Sequence, residues 1–419
     1  MHIRLLLLSF LFLGSFNLLA QPDDFRYSDY VYQDYIKSVK FHVSGLPLSY
    51  PIIDVEAGTQ LKLSFDDLEY EVSNYYYKII HCNQDWTPSI LSELEYIDGF
   101  TETRIPEFEY SFNTLTAYTH YDLMIPNRDT KLTKSGNYLL LIYNEDDDEP
   151  ILTRRFMVVD PLVTVAGNIH APVEAAKIRF YQEIDFTINY ENVPLRNPQK
   201  EVRATVLQNG RWDNAVQNIP PFFTKREELL FTYQGKIVFP AGNEYRFVDI
   251  RDLRTTNPTV YTVERLDNYY DVTLYTDQKR SNDPYLFRED LNGQYVIDHP
   301  QNRRPNLQND YADVLFSLKS AAPFQEEVYL YGAFTDWTFQ EQYKMVYNPA
   351  TYTYIQKVEL KEGLYNYAYA LRGDKGEAIT QDTEGSWFSA ENDYIILVYY
   401  RPFGGRYDQL IGTYVLAFQ

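Results

Sequence analysis

Period-two alternation constrains this chain more than any other feature. Leu61, Leu63 and Phe65 alternate with Lys62 and Ser64, and Ile184, Phe186, Ile188 and Tyr190 alternate with Asp185, Thr187 and Asn189. Val314, Phe316 and Leu318 repeat the pattern around Leu315 and Ser317. Neighbouring residues of an extended strand point to opposite faces, so each run places one set on a core and the other away from it. Helical spacing extends little past a turn or two, as around Ser89 to Leu94. Turn signals recur about every ten residues, among them Asp98-Gly99, Ser135-Gly136, Asn209-Gly210, Asn292-Gly293 and Glu362-Gly363. The 40 tyrosines and 25 phenylalanines, against only 18 glycines, suit pleated, half-buried surfaces. The reading is an all-β protein of tandem immunoglobulin-like or early-set β-sandwich domains.

The first residues read as an address. Residues 1–4 carry one positive charge, residues 5–16 are apolar, and Ala20 offers a small residue at the cut. Leu18 fits the small-residue position before it poorly. Such a run is too short to span a bilayer, and residues 1–20 are expected to be a signal peptide. No cysteine lies near the cut to carry a lipid anchor, and no later segment is apolar for long enough to span as a helix. Residues 21–36 are expected to be a loose arm. Residues 37–160 form a first β-sandwich, closed by the breaker Asp160-Pro161, and residues 161–276 a second. Residues 277–308, rich in charge, Asn and Pro, read as a linker or surface lasso, and residues 309–419 as a C-terminal early-set-like sandwich.

The formal charge of −21, or −22 once Arg4 leaves with the signal, opposes binding to nucleic acid and to anionic headgroups. Cys82 is the sole cysteine, so an exported form has no internal disulfide. Set in an apolar run, it reads as a small packing residue. No Gly-x-Ser-x-Gly, His-Glu-x-x-His, Walker or Gly-x-Gly-x-x-Gly pattern occurs. The six histidines include no i, i+4 pair, and no cofactor is implied. The acidic run 144–150 lacks the spaced ligands and glycine of a calcium loop and reads as a hairpin tip.

One stretch has a distinct signature. It runs Tyr75-Tyr76-Tyr77-Lys78-Ile79-Ile80-His81-Cys82-Asn83-Gln84-Asp85-Trp86, then Tyr110-Ser111-Phe112-Asn113-Thr114, Tyr118-Thr119-His120-Tyr121 and Ser135-Gly136-Asn137-Tyr138. This pattern resembles the plug proteins of the bacterial type IX secretion system. The resemblance implies a non-enzymatic periplasmic component, a monomer within a larger complex. Its partner is an outer-membrane translocon β-barrel, whose periplasmic opening it plugs when no cargo is in transit. The motif residues are His81, Cys82, Asp85, Trp86, Ser111, Asn113, Thr114, His120, Tyr121, Ser135, Gly136, Asn137 and Tyr138. All are expected to be structural, with Trp86 in the core and the two histidines bonded across strands. No residue is assigned to the translocon interface.

A second resemblance lies in the last block. Tyr329-Leu330-Tyr331-Gly332-Ala333-Phe334-Thr335-Asp336-Trp337 and Gly363-Leu364-Tyr365-Asn366-Tyr367 are similar to early-set and glycogen-binding modules. This makes Trp337 a glycan-stacking candidate, although the second aromatic of such a clamp is missing from Arg372-Gly373-Asp374-Lys375-Gly376. The alternative function is therefore a carbohydrate-binding multi-sandwich protein of the periplasm or cell surface. A hydrolase with β accessory domains and an outer-membrane barrel are the further rivals. The closely spaced prolines 194, 198, 220, 221, 240 and 258 oppose the barrel. The last eight residues contain no Lys or Arg, unlike the basic terminal strand of the system's cargo, which favours machinery.

Overall fold

Strand Leu61–Asp67 shows how the alternation becomes architecture: Leu61, Leu63 and Phe65 are buried in one hydrophobic core, and Lys62, Ser64 and Asp66 lie on the opposite face. The structure is a computed structural model and describes residues 25–145, 148–191 and 193–418. It is mostly β, built of several largely antiparallel sheets. Among the described residues the α-helices are single turns of four residues, and no helix is long and apolar enough to cross a membrane.

Three two-sheet units share the chain. In the first, a six-stranded sheet runs Tyr30–Val31, Pro150–Val159, Gly136–Asn144, Tyr75–Cys82, Glu102–Arg104, with Ile52–Asp54 parallel to Pro150–Val159. It faces a four-stranded sheet of Ile36–Val43, Leu61–Asp67, Thr119–Ile125 and Glu107–Tyr110 across a core that includes Tyr75, Tyr77, Tyr121, Tyr138 and Phe156. The run 144–150 joins two paired strands as a hairpin connection, with Asp146 and Asp147 outside the described residues.

The other two units are not consecutive in the chain. The second pairs a sheet of Thr164–His170, Tyr181–Asn189, Glu228–Phe231, Phe223–Lys225 and Val238–Pro240 with a sheet of Val216–Ile219, Val202–Gln208, Asn392–Tyr400 and Gln409–Phe418. The third is inserted between those segments. One of its sheets centres on Gly363–Arg372, flanked by Arg246–Asp249, Tyr295–Ile297 and Val328–Tyr331. The other runs Val260–Arg265, Tyr270–Leu274, Tyr311–Lys319, Thr353–Lys361, Val346–Asn348.

Strand pairing thus cuts across the expected blocks 161–276 and 309–419. The cause is visible in Asn392–Tyr400: Tyr394, Ile396 and Val398 enter the second core, and Ile395, Leu397 and Tyr399 press on the first unit. Only between those two bodies are both apolar faces covered. Segment 277–308, expected to be a linker or lasso, is gripped by the third unit. Tyr295 is buried in its short strand, and Asp277 accepts hydrogen bonds from Tyr367 and Tyr369 at 2.7 Å. The arm is not loose over its described part. Tyr30–Val31 pairs with Pro150–Val159, Thr153 donates to Ser28 O at 2.7 Å, and the Arg155 amide donates to Asp29 at 2.7 Å. The signal peptide lies outside the described residues.

Candidate functional site: the joints between the units

Strand Gly136–Asn144 of the signature stretch is apolar on both faces. In Gly136–Asn144, Tyr138, Leu140 and Ile142 enter the first core, while Leu139 faces the other way. There it joins Cys82, Trp86, Met157 and Val159 against Leu207, Ile395, Leu397, Tyr399 and Leu410 of the second unit. The joint is thus a second apolar core, built from the outer faces of two sheets. Trp86 meets Trp212 edge to face at 4.9 Å between centroids, and the Arg155 guanidinium lies 4.4 Å over Trp86. Asp85 shapes the preceding turn by accepting from the Thr87 amide at 3.0 Å and its hydroxyl at 2.6 Å. Asn137 accepts from Tyr399 at 2.8 Å and donates to Asn83 O at 3.2 Å.

His81 is buried in the same joint, packed edge to face on Tyr138 and on Tyr407. Burial lowers its imidazole to about 4, against a weaker upward pull from the Ser135 carbonyl. The ring is therefore neutral, and its Nε2–H donates to Ser135 O at 3.2 Å. Gly136, at φ +145°, is required here: a Cβ would sit 2.5 Å from His81 Nε2. Burial pushes the Cys82 thiol up to about 12, which keeps it protonated and unreactive.

The first–third joint is polar. Asp66, fully buried, accepts from His120 Nδ1 at 2.6 Å, Lys361 Nζ at 2.5 Å and Tyr311 OH at 2.5 Å. Burial opposes the Asp66 charge, but Lys361 and His120 outweigh it and hold the carboxyl below its ordinary range. Burial likewise opposes charge on His120, yet Asp122 and Asp66 raise it above its ordinary value. Lys361 is lowered by burial despite Asp66. Its ammonium also donates to Asn306 O at 2.7 Å and lies 4.0 Å over the Tyr118 ring.

The remaining motif residues support this joint or the core beside it. Ser111 Oγ accepts from the Tyr118 amide at 2.9 Å, and Tyr118 OH donates to Asn309 O at 2.9 Å. Asn113 turns the chain at φ 61°, next to the half-buried Thr114. The following amides of Leu115 and Thr116 donate to Asp310 at 2.6 and 3.0 Å. Tyr121 stacks on Phe65 at 5.1 Å in the first core.

His81 and His120 sit on different sheets facing different units, so the fold does not assemble them into one metal or catalytic site. Trp337 is half-buried at the second–third joint. Its ring is engaged by Arg211 at 4.8 Å, Tyr331 at 5.4 Å and Tyr245 at 5.8 Å.

Asp252, His299 and Glu362 converge to metal-binding separations. However, His299 Nδ1 accepts from the amides of Gln301 and Asn302, which places the proton on Nε2, the atom facing Glu362. Glu362 in turn accepts from the Leu253 and Asp310 amides. These atoms hold loops together and present no free histidine lone pair for a cation. Sequence reading did not reach Asp66, Lys361, Tyr311 or Arg155. The usable signal was a charge inside an otherwise strand-like run.

Residues 36–160 match the family described as type 9 secretion system plug protein, first domain. The crystal structure of a hypothetical protein from Parabacteroides merdae superposes with a TM-score of 0.90 at 34% sequence identity, covering 94% of this chain and 100% of that one. No curated protein matches the chain.

Proposed function

The chain belongs to the type IX secretion system plug protein family, and from that premise we propose that it closes the periplasmic opening of the outer-membrane translocon barrel when no cargo is in transit. It acts there as a non-enzymatic periplasmic subunit, a monomer within the larger complex. The observation that carries the reading is the family match over residues 36–160. The packing supports it. A plug needs a body that does not deform under load, and the three units are joined by an apolar seam and by a buried charged one. We further propose that the units are immunoglobulin-like or early-set sandwiches, and that the motif residues serve to set the angles between them. Docking is exchangeable, since cargo has to displace it.

The test is a deletion strain scored for uptake of large antibiotics and for secretion of a reporter cargo. The expected outcome is a leak, with export retained. Purified translocon should carry this chain when the pore is empty and lack it when cargo fills it. Full occupancy by both at the same opening would overturn the plugging mechanism.

A further inference from the structure

The alternation that makes the inner face of the first unit's four-stranded sheet apolar makes its outer face polar. That face carries Ser38, Lys40 and His42, then Lys62, Ser64 and Asp66, then His120 and Asp122. The third unit covers it incompletely, with Val296, Ile297, Asn306 and Lys361 as the opposite wall. A cleft of about 270 Å³ remains between the two.

Its charges do not balance. Asp66 is saturated by His120, Lys361 and Tyr311. Asp122 is held by Lys62 at 2.9 Å and by Ser64 Oγ at 2.6 Å. Lys40 has no such partner: its ammonium donates to Tyr295 O at 2.8 Å and lies 4.3 Å over the Tyr295 ring. Among the described residues no carboxylate reaches it. His120 Nε2 is buried, 3.2 Å from Asp122 Oδ1 but not aligned to hydrogen-bond it. Among the described residues, Asp66 and Asp122 are the carboxylates at ion-pair distance from Lys62, Lys361 and His120, and neither reaches Lys40. A low-dielectric cleft with surplus positive charge and unused donors is stabilised by an anion.

We propose that this cleft is a binding site for a small tetrahedral oxyanion, phosphate or a phosphate monoester, with Lys40 as its principal ligand and Lys62 and His120 at its flanks. The donors come from three adjacent strands on one sheet face, and Lys40 and Lys62 offer compact point charges of the kind that bind phosphate rather than the planar fork that pairs with a flat carboxylate. The volume exceeds the ~30 Å³ share of one water several-fold, which leaves room for a phosphate with an attached group. Burial, and then Arg154, lower Lys40 to about 8, so a bound anion also restores its full charge. The source is soluble rather than a lipid headgroup, because the net charge repels an anionic bilayer.

The test titrates inorganic phosphate into the mature chain by calorimetry and follows its melting temperature at fixed ionic strength, with chloride as the control anion. Saturable uptake of one phosphate and a rise in melting temperature are expected. Lys40→Met should weaken phosphate about tenfold or more, as loss of a charge-assisted contact does. Lys40→Arg should bind, and Lys177→Met should bind as the parent does. If Lys40→Met fails to fold, Lys62→Met takes its place, with weakened phosphate expected. Phosphate no more effective than chloride, or a folded Lys40→Met titrating like the parent, overturns the site. Flotation with phosphatidylglycerol vesicles, lost in Lys40→Met, overturns the soluble source and assigns the oxyanion to a headgroup.

Discussion

Asp66 and Lys361, 295 positions apart, meet at 2.5 Å with both side chains shut off from water. Asp66 belongs to the first unit and Lys361 to the third, so this contact fixes one against the other. Removing one member of a buried pair strands the other charge, at a cost of about 3–5 kcal/mol. Lys361→Ala should therefore lose about that much in urea unfolding. The double variant Asp66→Asn, Lys361→Met should recover part of the loss. A single variant as stable as the parent would show that the joint does not depend on the pair.

The same cluster predicts a pH window. His120 is raised above its ordinary 6.5, so its contribution is complete below that value and fades as pH rises through the folded-state value. Asp66 is lowered from its ordinary 3.8, so its contribution is complete above that value and fades as pH falls through the folded-state value. Melting temperatures of the parent and His120→Gln should differ most between pH 3.8 and 6.5 and converge in alkaline buffer. A gap that widens with rising pH would contradict the assigned charge on His120.

Gly136→Ala should lower stability by about 1–3 kcal/mol, because it adds a methyl against His81 at a backbone angle L-residues avoid. His81→Ala in the same chain should relieve the clash though not the backbone strain, so the double variant should show a smaller deficit than the two single changes summed. Thermal denaturation of the four proteins settles it.

Cys82 should resist maleimide in the native protein and react on unfolding, since its thiol is buried and pushed up to about 12. Cys82→Ala should cost about 1–2 kcal/mol, the range of a small core truncation.

Trp337→Ala should lower the melting temperature and leave a glycan array blank. Its ring packs on Tyr331 and Tyr245 beneath Arg211, and its truncation should cost about 2–4 kcal/mol. A stable variant that loses binding to a glycan recognised by the parent would revive the carbohydrate reading.

How far the sequence reaches depends on range. Leu61, Leu63 and Phe65 disclose their core face because alternation is local. Leu139, Leu140 and Leu141 disclose burial of both faces, but not that the second covering comes from strands some 260 residues later. Asp66 and His120 read as polar positions facing away from a core, and only folding brings Lys361 over them. Strand pairing crosses the expected blocks 161–276 and 309–419 for a related reason. Breakers such as Asn282-Asp283-Pro284 mark where the chain leaves a sheet, and carry no record of which sheet it later rejoins.

The split second unit has a consequence for how the chain matures. Synthesis runs from the N-terminus, so strands 164–240 emerge long before 392–418, which complete the facing sheet. Until then Ile184, Phe186, Ile188 and Phe231 lack the Tyr394, Ile396 and Val398 side of their core, and the first unit lacks the cover for Cys82 and Leu139. A chain interrupted before residue 392 leaves both apolar surfaces without their cover. The last two strands therefore complete two apolar clusters at once, and neither is complete without them.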